Sequence, residues 1–268
     1  MNATLQYIAD LERVNYAAML AVAQVTPGLE LVLRDDVVIT SSQAFPAPDT
    51  THACLLRATP QTADDLVAQV TDYFQARRLP ATVFLSPACT PPDLAERLAG
   101  RGFVRQAAQE AWLVLENLPD FVMPATTPGI AITPVTRSEA ATFAGVFMAA
   151  FDLPPDFVPW MAQLLEPGMG LPGVYHYLAC VDGQPIGVCS LLCYQTWGIL
   201  GSAGVLPAHR RSGAATSLAV RAAAQALEQG VDTLLLQTSA GAPLERLLRI
   251  SGFKPAFVRT CYTLPTPG

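Results

Sequence analysis

The eleven residues Val205-Leu-Pro-Ala-His-Arg-Arg-Ser-Gly-Ala-Ala215 gather residue types that suit a phosphate group. Arg210 and Arg211 supply two fixed positive charges. Gly213 lets a backbone approach a ligand closely. An apolar run precedes the segment and reads as a buried strand; the run 213–229 after it reads as a helix. The first turn of such a helix offers backbone N–H groups without intrahelical acceptors, at the positive end of the helix dipole. Together these features form an anion cradle suited to a pyrophosphate. The same residues also fit a plain loop in which arginines cover the surface and Gly213 eases a turn.

The charge balance favours a local anion site over a general one. The chain has 268 residues, a net charge of −6 and only 14% charged residues. A general nucleic-acid binder carries a basic excess, so that class is excluded as an expectation. The sign is uneven: residues 201–268 hold seven Lys and Arg against three Asp and Glu, while residues 1–200 hold nine against 19. The hydrophobic content of 51% excludes a disordered chain.

Six cysteines, at 54, 89, 180, 189, 193 and 261, form no CxxC pair, so neither a disulfide framework nor a metal site is expected. Free thiols suit a reducing, cytoplasmic setting. The N-terminal apolar stretch contains Asp10, Glu12 and Arg13, unlike a secretory signal. Residues 183–208 carry no charge and are long enough to span a bilayer. Five glycines and two turn-like breaks make them paired buried strands instead, so no membrane partner is expected.

The elements that must position the cradle follow from periodicity. Helices are predicted over 3–25, 62–78, 91–99, 138–151, 157–165, 213–229 and 242–250. Strands are predicted over 30–34, 37–40, 53–57, 81–85, 111–115, 130–134, 175–181, 186–194, 197–206, 233–238 and 258–264. Asp182-Gly183 signals a hairpin. Residues 81–103 echo 232–253: a buried strand, a helix, then Gly-Phe. Self-similarity at a period of about 150 residues signals a duplicated domain. The predicted division is 1–118, a Pro-rich linker 119–129, and 130–268.

The segment Val205, Pro207, Arg210, Gly213, Ala215 resembles the V-x-P-x-x-R/Q-x-x-G-x-G/A acetyl-CoA motif of the GNAT superfamily of N-acetyltransferases. The order of elements in 130–264 resembles that family from first strand to last. The resemblance implies an α/β (α+β) chain of two tandem GNAT-like domains, each a mixed central sheet flanked by helices. Residues 1–118 resemble the same fold without the motif; Asp64 and Asp65 at a helix start there would repel a pyrophosphate. That half resembles the degenerate half of bacterial tandem GNAT proteins.

For chemistry, the resemblance implies direct attack of a small amine on an acetyl-CoA thioester. Backbone groups near Ala203 and Val205 would pair with the pantetheine arm. Arg210, Arg211, Ser212, Gly213, Ala214, Ala215 and Thr216 would hold the pyrophosphate. Many relatives place a tyrosine as general acid where this chain has Leu248. The remaining candidates for proton transfer are Tyr194, Ser202 and Ser239, beside Cys193, His176, Tyr262 or ordered water. Asp152, Asp156 and Trp160 are candidate acceptor-site residues. The expected protein is an acyl-CoA-dependent N-acyltransferase, monomeric or homodimeric; the alternative is a catalytically silent CoA-binding module.

Overall fold

The computed structural model describes residues 4–265. In chain order the elements are α1 (Leu5–Ala17), α2 (Leu20–Val25), β1 (Leu29–Leu33), β2 (Val38–Ser42), β3 (His52–Cys54), α3 (Ala63–Ala76), β4 (Thr82–Leu85), α4 (Leu94–Gly100) and β5 (Val104–Leu115). They continue with β6 (Ala131–Pro134), α5 (Ala140–Ala150), α6 (Val158–Leu165), β7 (Val174–Val181), β8 (Gln184–Tyr194), β9 (Trp197–Val205), α7 (Ala214–Glu228), β10 (Thr233–Ser239), α8 (Pro243–Ile250) and β11 (Lys254–Thr263). The helix predicted over 3–25, whose residue 3 lies outside the described residues, breaks into α1 and α2 at Ala18–Met19. β5 begins seven residues earlier than the predicted strand at 111.

The chain forms two compact units. Unit 1 is Met1–Leu20, Gly28–Val114 and Gln237–Gly268; unit 2 is Ala21–Pro27 and Leu115–Leu236. The division at Val114/Leu115 lies near the predicted linker. The segment from Gln237 onward, predicted to belong with 130–268, packs in unit 1 instead. The reason is strand pairing: β11 lies antiparallel to β4 on one side and to β5 on the other.

In unit 1 the strands run in the order β1-β2-β3-β4-β11-β5. Leu66, Val70 and Phe74 project from one face of α3 at helical spacing and pack with Leu98, Val83 and Tyr262 in the core. Asp64 and Asp65 do occupy the first turn of α3. Asp64 is ion-paired with Arg97 at 2.6 Å and Arg101 at 3.6 Å, both from α4 and the turn after it.

A second polar group in unit 1 centres on Arg259, Glu12, Tyr16 and His52, all four buried. Arg259 of β11 bonds Glu110 and donates to the Tyr16 hydroxyl at 2.9 Å. It also stands 3.7 Å from Glu12 and stacks over the rings of Phe84 and Trp112. Glu12 accepts from Ser86 at 2.6 Å. Tyr16 bonds His52, whose other ring nitrogen reaches the Pro48 carbonyl at 2.6 Å. Burial, reinforced by the Arg259 charge, holds the His52 imidazole down to about 3.

In unit 2 the strands run in the order β10-β9-β8-β7-β6. The β7–β8 hairpin pairs Val181 with Gln184 across Asp182 and Gly183, both at positive φ. That is the two-residue turn whose twist matches the strands. Phe143 and Val146 of α5 pack on Leu178 and Val188. The uncharged run 183–208 supplies all of β8 and all of β9. Among the described residues, no helix is long and apolar enough to cross a membrane.

Candidate functional site

β9 is the strand on which the unit 2 site is built. Its parallel pairing with β10 covers Trp197–Leu200 and stops there. On its other side, β8 pairs Ser190 with Gly201 and Val188 with Gly204. β9 therefore spends one residue more than β8 over that interval, a β-bulge. Ser202, at φ +48°, and Ala203 form it, and Ala203 is exposed. A Cβ on Gly201 would meet nothing within 4 Å. A Cβ on Gly204 would stand 2.8 Å from the Phe151 ring and 2.9 Å from Ala150. The residues that the sequence singled out at Ala203 and Val205 thus lie beyond the end of the β10 pairing.

The chain then turns through Pro207–His209 into α7. Arg211 and Gly213 both adopt left-handed φ, at +66° and +92°. Alternation of this kind makes a concavity of backbone N–H groups. Ser212 caps Ala214 N–H at 3.3 Å. Ala215 and Thr216 follow in the first turn, where the helix itself provides no acceptor, and both are exposed. A pyrophosphate fits this donor set.

Two neighbours of the cradle were not legible in the sequence. Thr127, from the segment before β6, crosses the start of α7. Its N–H donates to Ser217 at 3.3 Å, and its hydroxyl sits 1.9 Å from where a Gly213 Cβ would be. Gly213 is therefore fixed by the chain's own crossing as well as by its φ. Arg210 donates to the Ala150 carbonyl at 3.0 Å, capping the C-terminal end of α5. Its guanidinium ties the loop to α5; both arginines are exposed, and Arg211 stands within the left-handed turn itself.

The equivalent place in unit 1 is stitched shut by its own chain. β3 and β4 pair in parallel at Ala53 and Val83. Beyond that point Thr90 N–H donates to the Leu56 carbonyl at 2.9 Å, and Ala58 N–H to the Thr90 carbonyl at 3.0 Å. The backbone edge that β9 leaves uncovered by β10 is here occupied by residues 56–58 and 90.

The proton-transfer candidates scatter. Tyr194 pairs with Trp197 at the β8–β9 turn, and Ser202 lies in the bulge. Ser239 and Tyr262 belong to unit 1, where Tyr262 joins the apolar core. Burial pushes the Cys193 thiol up to about 11. Leu248 sits on α8, in unit 1. His176 is the organised one: its Nδ1 bonds the Ser190 hydroxyl at 2.7 Å, and Ser190 is opposite Gly201 across the strands. His176 packs edge-on to Phe143 of α5. Ser190 went unremarked in the sequence because nothing local marks a serine in an apolar strand. Asp152, Asp156 and Trp160 are each exposed, on the stretch from the end of α5 into the first turn of α6.

Burial lowers the His176 imidazole to about 4, so it is neutral at physiological pH. The unfolded chain, with an ordinary imidazole near 6.5, binds a proton that the fold rejects. Stability is therefore full above pH 6.5 and falls as pH drops towards 4, by up to about 3 kcal/mol. His176→Gln is expected to flatten that part of the acid limb. Urea melts at pH 7 and 4.5 would measure it; an unchanged pH difference would contradict the assignment.

Comparison with known proteins gives a family match over part of the chain and a shared fold over all of it. Residues 146–253 match the acetyltransferase (GNAT) family model. A GCN5-related N-acetyltransferase from Kribbella flavida superposes with a TM-score of 0.72 at 17% identity, covering 100% of this chain and 97% of that one. A tandem GNAT protein from the clavulanic acid biosynthesis pathway gives 0.62 at 17% identity, over 95% and 89%. A GCN5-related N-acetyltransferase from Sphaerobacter thermophilus gives 0.62 at 18%, over 98% and 94%. No curated protein matches the chain significantly by sequence. Residues 146–253 thus match the acetyltransferase (GNAT) family model, within a chain whose fold is that of the tandem GNAT protein.

Proposed function

We propose that the chain is an acyl-CoA-dependent N-acyltransferase that moves an acetyl group from acetyl-CoA to a small amine. One observation carries the reading: β9, past its pairing with β10, leads directly into the left-handed turn and first turn of α7. A single ligand can pair along that strand edge and place an anion on the Arg211–Thr216 backbone. Acetyl-CoA has that form, and when bound it supplies the thioester.

The chain's own part is mostly positioning. Strand-like pairing with Ala203 and Val205 would orient the arm, and the cradle would fix its charged end. A held geometry of this kind supplies much of the rate when the leaving thiol needs little help. The Ser190 hydroxyl, oriented by neutral His176, belongs to a built polar pair opposite Gly201. The acceptor is a small-molecule amine, the setting cytoplasmic, and the protein a monomer or homodimer.

Leu248 in place of the family's tyrosine favours a second reading, a CoA-binding module without turnover. Two measurements separate them. Acetyl-CoA at millimolar concentration is expected to raise the melting temperature by several degrees, following mass action. Thiol release with an amine panel is expected under the first reading and absent under the second. No thermal shift would exclude both.

A further inference from the structure

We infer that the acceptor is an amphiphilic amine: one ammonium group joined to an aromatic or alkyl body that lies on the Phe151–Trp160 face. The inference rests on the acyltransferase reading above. In the stretch 151–160 every residue except Val158 is exposed. Phe151 is 48% exposed, Leu153 36%, Phe157 43% and Trp160 50%. Single exposed apolar side chains are ordinary, but four large ones within ten consecutive residues are a dense apolar stretch at the surface.

The charges choose the occupant. From 140 to 174 the chain carries Asp152, Asp156 and Glu166 and no Lys, Arg or His. Two guanidinium groups reach this segment from outside it, and both are bound to carbonyls: Arg210 to Ala150, and Arg137 to Met169 and Pro167. A second copy of this face would bring carboxylates against carboxylates. An ammonium on an apolar body complements both features, and an indole ring can take either part of it.

The position suits an acceptor. The Phe151 ring lies against Gly204 of β9, on the side where a Gly204 Cβ would point. Phe151 therefore borders the strand segment beyond Leu200, beside the open space at Gly201. Pro154 and Pro155 fix the backbone between Phe151 and Leu153 on one side and Phe157 and Trp160 on the other.

The test is thiol release from acetyl-CoA with phenethylamine and tryptamine against ethanolamine and spermidine. The apolar amines are expected to show kcat/KM at least ten-fold higher. Trp160→Ala is expected to raise their KM ten-fold or more while the acetyl-CoA thermal shift stays unchanged. Fluorescence titration with phenethylamine gives a readout that needs no turnover. Equal rates for spermidine, an unmoved KM in Trp160→Ala, or no saturable phenethylamine binding would overturn the inference. So would a concentration-dependent dimer that Trp160→Ala dissolves, which would assign the face to a second copy. Loss of the acetyl-CoA shift in the parent protein would instead overturn the acyltransferase reading on which the inference stands.

Discussion

Arg259→Ala is expected to destabilise unit 1 by about 3–5 kcal/mol, the usual cost of removing one partner from a buried ion pair. The reason is what the guanidinium leaves behind. Glu12 is completely buried, and one of its carboxylate oxygens has no hydrogen bond, only Arg259 at 3.7 Å. Burial already raises the Glu12 carboxyl above its usual range, and the Arg259 charge is the largest influence holding it down. Without Arg259, Glu12 must take up a proton or stay charged in an apolar site.

Two controls separate charge from packing. Arg259→Met keeps the stem against Phe84 and Trp112 but removes the charge, so most of the loss should persist. Glu12→Gln in the Arg259→Ala background should recover part of it, because the orphaned charge is gone. The variant should also gain stability, relative to the parent, as pH falls and Glu12 is protonated. Urea melts would measure all three, and a loss below 1 kcal/mol in Arg259→Ala would show that the network adds little to the fold.

The second large effect is at Gly213. Gly213→Glu is expected to weaken acetyl-CoA binding at least 100-fold, read by calorimetry or thermal shift. Any side chain there carries the cost of the left-handed backbone, roughly 1–2 kcal/mol, and meets Thr127. A carboxylate adds repulsion towards a pyrophosphate. Gly213→Ala should perturb binding less, and Thr127→Gly should restore part of it by removing the hydroxyl 1.9 Å from the new Cβ. Arg210→Ala should cost ten-fold or less, because that guanidinium serves Ala150. Retention of tight binding in Gly213→Glu would remove the cradle from the site.

What the sequence made legible follows a physical rule. The cradle is local: Pro207, two arginines, Gly213 and the helix start lie within eleven residues, and each type has a backbone or charge reason to be there. The hairpin at Asp182-Gly183 is legible for the same reason. Periodicity found every helix but ran through the break at Ala18–Met19, where no Gly or Pro marks the turn. The partner of β11 was not legible. A strand's pattern records which face is buried, not which edge it joins. Arg259 within KPAFVRTCYT was the one local sign of an unusual neighbour. Its partner Tyr16 is 243 positions away. Thr127 over Gly213 and Arg210 on Ala150 are likewise long-range contacts with no local trace.

The placement of β11 also sets an order of assembly during synthesis. The sheet of unit 1 has a gap between β4 and β5 until residues 254–263 arrive to fill it. Unit 2 is complete once Leu236 has emerged. A ribosome reading this chain therefore finishes the second unit before the first can close. β4 and β5 must wait with unpaired edges while the interval is translated, and exposed edges of this kind invite mispairing. Slow elongation through 115–236 would lengthen that wait, while an early stop before Lys254 would leave unit 1 without the strand that joins β4 to β5.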